Sequence, residues 1–238
     1  MRLLSTLFVV SLCFRDALSF VYKYPIVDTK QKKMVQYITD PKTSVIVGYG
    51  VAGTGKTLVA TQEAIRLLKE KRTSKIILTR PLKPVEDEEI GFLPGSLENK
   101  MEPWVLPILD YFRSYYTVSD INKLKNQNEL EIVPFAFMRG RTFDNAIVIA
   151  DEMQNSSITQ MKLLLTRIGK NSKIIILGDL EQTDAFHYNG LQDLLDRFEN
   201  RYINRTERYE DGFGIVHFDR NDVKRNEIIP RILELYNQ

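Results

Sequence analysis

The sequence predicts an α/β fold, in which a doubly wound and mostly parallel sheet carries helices on both of its faces. Two observations lead to this prediction. From Tyr24 onward, short β-branched runs alternate with longer amphipathic stretches, an order typical of strand–helix units. Several of these runs are apolar throughout rather than alternating, as expected for strands that are covered on both faces. In such a sheet, ligands bind at the carboxyl ends of the strands.

The predicted strands are five runs rich in β-branched residues: Val45–Val47, Lys75–Thr79, Glu131–Val133, Ala146–Ala150 and Lys173–Leu177. The predicted helices are four amphipathic stretches: Leu58–Glu70, Ile158–Ile168, Leu191–Phe198 and Glu227–Tyr236. The region of about residues 81–130 is less regular, since it contains five prolines and an acidic run. We expect it to be an insertion of loops and helices between two strands of the sheet.

Length and composition limit the possible functions. A chain of 238 residues can form one domain with a sizeable core but is too short for two ordinary domains. The formal net charge of +2 produces no global field that would mark a nucleic-acid binder, so such contacts would need a local basic patch. Cys13 is the single cysteine, which excludes an intramolecular disulfide and a cysteine-based metal site.

The strongest motif is a glycine-rich loop with the Walker A spacing: Gly50, Val51, Ala52, Gly53, Thr54, Gly55, Lys56 and Thr57. A predicted strand precedes it and a predicted helix follows it. Glycines let successive backbone N–H groups turn inward around phosphate oxygens, and the helix N-terminus adds partial positive charge. Lys56 would bind the β and γ phosphates, and the Thr57 hydroxyl would ligate Mg²⁺. The motif therefore predicts a site for ATP with Mg²⁺.

Two carboxylates follow the predicted strand Ala146–Ala150, which is the Walker B arrangement. Asp151 would hold Mg²⁺ through its water shell. Glu152 would orient the attacking water and remove its proton. An adjacent carboxylate pair is common on protein surfaces, but here it lies downstream of a Walker A loop and at the end of a buried strand.

A third polar turn follows the strand that ends at Leu177, and it contains Asp179 and Gln182. Both residues are expected to face the crevice that holds the γ-phosphate. The Gln182 amide can donate to a phosphate oxygen and accept from water, which makes it a candidate γ-phosphate sensor. The alternative interpretation is an ordinary strand-ending turn that Asp179 stabilises.

Together, these motifs resemble those of the PhoH family, ATPases related to the first RecA-like domain of superfamily 1 helicases. Asp151–Asn155 resembles the second helicase motif, and Gly178–Gln182 resembles the third. Three further stretches are more particular to the family: Leu78–Pro81, Gly91–Gly95 and Met138–Thr142. The resemblance covers roughly residues 25–235. It implies a P-loop NTPase with a RecA-like fold.

The resemblance also implies roles that spacing alone does not give. Gln31 matches the glutamine that reads adenine in the family. Arg225 matches an arginine that is expected to reach a γ-phosphate, either of its own subunit or of a neighbouring one. The chain departs from the family after Arg225, where Asn226-Glu227 stands in place of His-Pro. Three other arginines would lie near the site or a nucleic-acid path, or would form ordinary salt bridges: Arg80, Arg139 and Arg141.

The function expected from this resemblance is ATP hydrolysis coupled to RNA or other single-stranded nucleic acid, with helicase-like or RNA-remodelling activity. Helicases of this class close two RecA-like domains over ATP, whereas this sequence predicts a single RecA-like domain. A homo-oligomeric ring such as a hexamer would restore that arrangement, with Arg225 crossing the subunit interface.

Three other functions are alternatives: a GTPase switch, a small-molecule kinase and an ATP-gated module. A GTPase switch needs Asn-Lys-x-Asp, but the two nearest stretches, at Asn99 and Asn122, both lack the aspartate. A small-molecule kinase needs a lid and an acceptor site, and neither can be identified. An ATP-gated module that acts on a protein partner without nucleic acid is the remaining alternative.

Residues 1–19 predict a leader ahead of the domain at residues 20–238. Arg2 precedes an apolar run that ends at Phe14 and is too short for a stable membrane span. Small residues then lead to Ser19, and a cleavage before Phe20 would resemble that of algal plastid leaders. Secretory entry or a frayed first element are alternatives. A glycan on the Asn155 sequon would obstruct Asp151, which disfavours secretion and leaves plastid and cytoplasm open.

Overall fold

The computed structural model describes residues 20–81, 97–182 and 188–223, with the backbone alone over 97–104. Several predicted features lie outside these residues: the leader at 1–19, the stretch Gly91–Gly95, Arg225 and the helix Glu227–Tyr236. They remain predictions, as does the division into a leader and one domain.

Within the described residues, six strands form one sheet in which every pair is parallel. In chain order, the strands are β1 (Val45–Gly50), β2 (Lys75–Thr79), β3 (Leu130–Ile132), β4 (Ala146–Ala150), β5 (Lys173–Gly178) and β6 (Phe213–Phe218). Their order across the sheet is β3-β2-β4-β5-β1-β6. All five predicted strands are present, two of them with identical bounds.

The described residues also form seven α-helices. They are α1 (Thr29–Thr39), α2 (Lys56–Lys69), α3 (Leu97–Arg113), α4 (Val118–Asn126), α5 (Ile158–Leu165), α6 (Gly190–Arg201) and α7 (Arg205–Glu210). The predicted insertion contains α3 and α4, and β3 follows it. No helix of the described residues is long and apolar enough to cross a membrane.

Helices cover both faces of the sheet, which confirms the predicted doubly wound α/β fold. Alternate residues of a strand point to opposite faces, so Ile46 packs under α1, α2 and α3 while Val47 faces α5 and α6. The first face is filled by residues such as Ile65 and Phe112, and the second by residues such as Leu164. Every residue of β4 is buried, as its continuous apolar sequence predicts.

β6 was not among the predicted strands. Gly214 interrupts its apolar run, and glycine in a strand weakens the local signal. The structure shows why glycine is present, because a Cβ atom there would lie 2.5 Å from the Tyr37 ring of α1. Tertiary packing therefore determines this strand. Its pairing with β1 places the Walker A strand inside the sheet rather than at its edge.

The sheet order brings the predicted motifs together. β1 lies beside β5, and β5 lies beside β4. Because all three strands are parallel, their carboxyl ends reach the same edge of the sheet. The loop after β1, Asp151 after β4 and Asp179 after β5 are therefore neighbours.

Candidate functional site

The loop Gly50–Thr57 leaves β1 and enters α2 with three glycines in left-handed backbone conformations. The φ angles are 119° at Gly50, 82° at Gly53 and 85° at Gly55. Other residues adopt such angles only with strain, so the glycines allow the tight turn. Gly55 is the N-cap residue of α2 and offers no side-chain oxygen to its first amides. This helix N-terminus can therefore present its N–H groups to an anion.

Gly50→Ala is expected to destabilise the protein by about 2–4 kcal/mol. A Cβ atom at Gly50 would lie 1.9 Å from the carbonyl oxygen of Phe218, which also accepts from the Val51 N–H. Gly140→Ala is the matched control, because Gly140 has a φ of 76° but no atom within 4 Å of its added Cβ. We expect the control to lose only about 1 kcal/mol in urea unfolding. Equal losses would show that backbone strain alone, and not the contact with β6, makes Gly50 necessary.

The Lys56 ammonium lies against the loop that precedes it. Its Nζ donates to the carbonyl oxygens of Gly50 at 2.6 Å and Val51 at 2.8 Å. The Thr54 hydroxyl oxygen lies 3.5 Å away, and Lys56 is only 8% exposed. In this conformation the Lys56 ammonium offsets the partial negative charge of these two carbonyl oxygens. To bind a phosphate, the ammonium would have to donate to phosphate oxygens in addition to the carbonyl oxygens or in place of them.

Thr57 and Asp151 face each other across the site. The Thr57 hydroxyl oxygen lies 3.3 Å and 3.4 Å from the two carboxylate oxygens of Asp151. Burial raises the pKa of Asp151 to about 6, and the neighbouring Glu152 charge adds to this effect while Arg80 opposes it. A cation would therefore stabilise the ionised carboxylate. The hydroxyl and carboxylate oxygens are ligands that suit Mg²⁺.

The described residues contain no group of three or more His, Cys, Asp and Glu that could hold a metal ion. Mg²⁺ typically uses one or two protein oxygens and completes its octahedron with water and phosphate oxygens. Thr57 and Asp151 fit that requirement, because the Thr57 hydroxyl can ligate the ion and the Asp151 carboxylate can bind it through its water shell, next to the loop that would hold the phosphates.

Asp151→Asn is expected to stabilise the ligand-free protein at about pH 7.5 by about 1–3 kcal/mol. The raised pKa means that the folded state disfavours the charged carboxylate. This cost is fully present above about pH 6, falls as the pH decreases, and is absent below about pH 4. Thermal melts without Mg²⁺ and nucleotide measure the difference, with the exposed Asp110→Asn as control. A less stable Asp151→Asn protein at about pH 7.5 would contradict the inferred electrostatic cost.

Glu152 has a left-handed backbone conformation, with φ 54° and ψ 39°. A non-glycine residue in this region is strained, and such strain is typical of functional sites. Its carboxylate has two partners in the structure. Arg80 Nη2 lies 3.8 Å from one oxygen, and the Gln154 amide donates to the other at 2.5 Å.

Asp179 fastens the turn after β5 to the Walker A loop. Its Oδ2 accepts from the Ala52 N–H at 2.9 Å, and its Oδ1 accepts from the Glu181 N–H at 3.0 Å. Burial raises the pKa of the Asp179 carboxyl above its usual range. Gln182 ends the short 3₁₀ turn Leu180–Gln182 and is exposed at the cleft. Asp179 thus stabilises the turn after β5, as one of the two interpretations of the sequence predicted. This turn places Gln182 in the same cleft as the Walker A loop.

Gln31 lies on α1 and is 4% exposed. Its Nε2 donates to the carbonyl oxygen of Thr54 at 2.9 Å, and a Cβ atom on Gly55 would lie 2.8 Å from that nitrogen. The structure therefore places Gln31 directly against the Walker A loop. Its adenine-reading role stays a prediction.

A cleft of about 310 Å³ joins these residues. The predicted site residues that line it are Gln31, Ala52, Gly53, Gly55, Lys56, Thr57, Asp151, Glu152 and Gln182. Gly50, Val51 and Thr54 do not line it but form the buried part of the loop. The cleft also has an apolar wall that was not predicted, which consists of Pro25, Val27, Leu58 and Tyr111. The side-chain contacts of Gln154 were not predicted either, although this residue lies in the motif Asp151–Asn155.

The remaining arginines divide between the two interpretations given above. Arg80 reaches the site through Glu152. Arg141 instead pairs with Glu131 of β3 at 2.5 Å, as an ordinary salt bridge does. Arg139 is exposed.

An all-parallel sheet with a phosphate-type loop after β1 and carboxylates after β4 and β5 defines a P-loop NTPase fold of the RecA-like class. The sequence profile of the PhoH-like protein family matches residues 26–237, so the chain belongs to this family.

Curated relatives agree with this assignment. The chain is 38% identical over 197 residues to a PhoH-like protein of Bacillus subtilis, covering 83% of this chain and 59% of the relative. It is 39% identical over 202 residues to protein PhoH of Escherichia coli K12, covering 81% of this chain and 52% of the relative. The chain thus spans between half and two thirds of the length of these relatives.

Among solved structures, the large terminase of a thermophilic bacteriophage is similar with a TM-score of 0.51. The alignment covers 88% of this chain and 49% of the terminase, at 13% sequence identity. A similarity at this identity concerns the fold alone.

Proposed function

We propose that the protein binds ATP with Mg²⁺ and hydrolyses it. We further propose that a single-stranded nucleic acid stimulates the hydrolysis, with RNA as the main candidate. The observation that carries the hydrolysis is the position of Glu152. Its carboxylate lines the same cleft as the Walker A loop and directly follows the candidate Mg²⁺ ligand Asp151. A carboxylate at this place can orient a water molecule and accept its proton.

The proposed reaction assigns a part to each of the predicted site residues. The loop amides and Lys56 bind the phosphates, and the apolar wall with Gln31 accommodates the base. Thr57 and Asp151 hold Mg²⁺, which supplies positive charge to the phosphates when it is bound. Gln182 contacts the γ-phosphate from the turn after β5. Arg225 would act from a neighbouring subunit in a homo-oligomeric ring.

The support for nucleic-acid binding comes from the edge of the sheet at which the carboxyl ends of the strands lie. A short 3₁₀ turn, Phe135–Phe137, follows β3, and its Phe137 is 57% exposed while Phe135 and Met138 are buried. The exposed Arg139 follows two residues later. An exposed aromatic ring can stack on a base, and an exposed guanidinium close to it in the sequence can contact a phosphate. These are the contacts that sequence-independent binding of a single strand uses.

We expect a single-stranded RNA to raise ATP turnover by the wild-type protein, with Lys56→Ala as the blank. Phe137→Ala should lower the RNA-stimulated rate about tenfold at low RNA concentration, because base stacking contributes about 1–3 kcal/mol per base. Its basal rate should not change. Val118→Ala is the matched control, since Val118 is 66% exposed on α4.

Three outcomes separate the alternatives. Stimulation that Phe137→Ala weakens supports the proposal in full. Turnover that is indifferent to RNA retains the ATPase, rejects the nucleic-acid coupling and favours a switch that acts on a protein partner. No turnover by the wild-type protein under either condition would refute ATP hydrolysis.

A further inference from the structure

Gln154 is a buried glutamine that connects the loops after β4 and β5. It lies in the short 3₁₀ turn Met153–Asn155 and is 1% exposed. Its Oε1 accepts from the Asp179 N–H at 3.1 Å. Its Nε2 donates to a Glu152 carboxylate oxygen at 2.5 Å and lies 3.5 Å from the Gln182 carbonyl oxygen. One amide therefore contacts both loops of the proposed hydrolytic site.

These three partners determine which way the amide faces. Glu152 and Gln182 both present acceptor oxygens, so they require the NH₂ group. Asp179 presents a backbone N–H, so it requires the carbonyl oxygen. The opposite orientation would place an oxygen against two oxygens and an NH₂ group against an N–H. The hydrogen-bond pattern thus assigns the NH₂ group to the side of Glu152 and Gln182 and the carbonyl oxygen to the side of Asp179.

Gly178 provides the space for this amide. A Cβ atom at Gly178 would lie 2.9 Å from the Gln154 Oε1 and 2.6 Å from Leu191 Cδ2. Gly178 is the last residue of β5, with a strand conformation that other residues also adopt. Close packing, including the Gln154 side chain, therefore explains the glycine.

Gln154 also holds the side chain of Glu152 by a hydrogen bond. Glu152 is held in a strained backbone conformation, and its side chain is 34% exposed at the cleft. Arg80 approaches one of its carboxylate oxygens from 3.8 Å, whereas Gln154 holds the other from within hydrogen-bond distance. The direction of the carboxylate thus depends on both partners, and the closer of them is Gln154.

We infer that Gln154 is a positioning residue, which aims the Glu152 carboxylate at the attacking water and links this aim to the turn that carries Gln182. The inference rests on the proposed ATP hydrolysis. A change at the γ-phosphate that moves the Gln182 turn would alter the hydrogen bonds of Gln154 and thereby the position of the base. Glutamine suits this role because it donates and accepts at once, while a carboxylate here would repel Glu152.

The test compares Gln154→Leu with Gln62→Leu. Gln62 is the matched control, because it is fully buried on α2 and its side chain also forms three hydrogen bonds, with Tyr24 and Tyr115, outside the cleft. We expect Gln154→Leu to lower kcat about 10- to 100-fold with a KM for ATP within about threefold of wild type, since misaligning a reacting group has effects of this size. Gln62→Leu should lower the melting temperature but leave kcat within about twofold.

Two further readouts test the inference, and the first of them distinguishes positioning from a merely structural role. In a Glu152→Gln background, Gln154→Leu should change the residual rate by less than about twofold, because the residue it positions is already removed. Hydrogen exchange of the Asp179 amide should be faster in Gln154→Leu than in wild type. If the leucine variant does not fold, Gln154→Asn keeps an amide that is too short to reach all three partners.

An active wild-type enzyme with unchanged kcat in folded Gln154 variants would overturn the inference and leave the ATPase intact. An equal loss of rate in the wild-type and Glu152→Gln backgrounds would also overturn it. A wild-type protein without turnover would instead refute the proposed function itself.

Discussion

Replacing Glu152 with glutamine is expected to leave ATP bound and to lower the rate of hydrolysis about 10²- to 10⁴-fold. Glutamine keeps the size of the side chain and can still accept a hydrogen bond from Gln154. It cannot accept a proton from water, and it loses the charge that faces Arg80. Phosphate release measures turnover, and titration with a fluorescent ATP analogue measures binding.

Glu181→Gln is the matched control for this change. Glu181 lies in the neighbouring turn, and its carboxylate is 63% exposed and 3.6 Å from Arg220. Removing this exposed charge should leave turnover within about twofold of wild type. If Glu152→Gln retained full turnover, Glu152 would not be the general base.

Lys56→Ala is expected to weaken ATP binding about 10- to 150-fold, because a hydrogen bond to a charged group contributes about 1.5–3 kcal/mol. The loss should depend on the phosphates. ATP and ADP should bind more weakly, whereas adenosine should bind as it does to the wild-type protein. Isothermal titration with the three ligands measures the difference.

The structure also specifies the controls for Lys56→Ala. The variant removes hydrogen bonds to the Gly50 and Val51 carbonyls, so the melting temperature must be measured and binding tested well below it. Lys32→Ala removes an exposed positive charge from α1 and should not change the affinity. Unchanged ATP affinity in Lys56→Ala would show that the ammonium stays on the loop and does not bind phosphate.

The sequence was sufficient for the fold class and for the neighbourhood of the phosphate loop. A loop of fixed spacing between a strand and a helix has few possible conformations, so Gly50–Thr57 could be placed before any contact was known. Carboxylates after the predicted strands Ala146–Ala150 and Lys173–Leu177 could be placed for the same reason, since parallel strands share one carboxyl edge.

Side-chain contacts between neighbouring strands could not be predicted in this way. The bonds of Gln154 to Asp179 and Gln182 exist because β4 lies next to β5, and no local pattern specifies that order. The apolar wall at Tyr111 depends on how α3 packs beside α2, within a region whose prolines obscure the helical pattern. β6 was not predicted because Gly214 weakens its strand pattern, and this glycine is required by close packing against the Tyr37 ring of α1.

The position of β1 in the sheet has a consequence for biosynthesis. Among the described strands, β1 pairs only with β5 and β6, and both follow it by more than half of the 238-residue chain. As the chain emerges from the ribosome, the strand that precedes the phosphate loop has neither neighbour until Lys173–Gly178 and then Phe213–Phe218 have been made. Pairings between such distant segments form slowly and leave strand edges exposed to chaperones or aggregation. If the site binds nucleotide as proposed, the nucleotide would therefore stabilise the newly made protein only in the final stage of folding, when the completed site first exists.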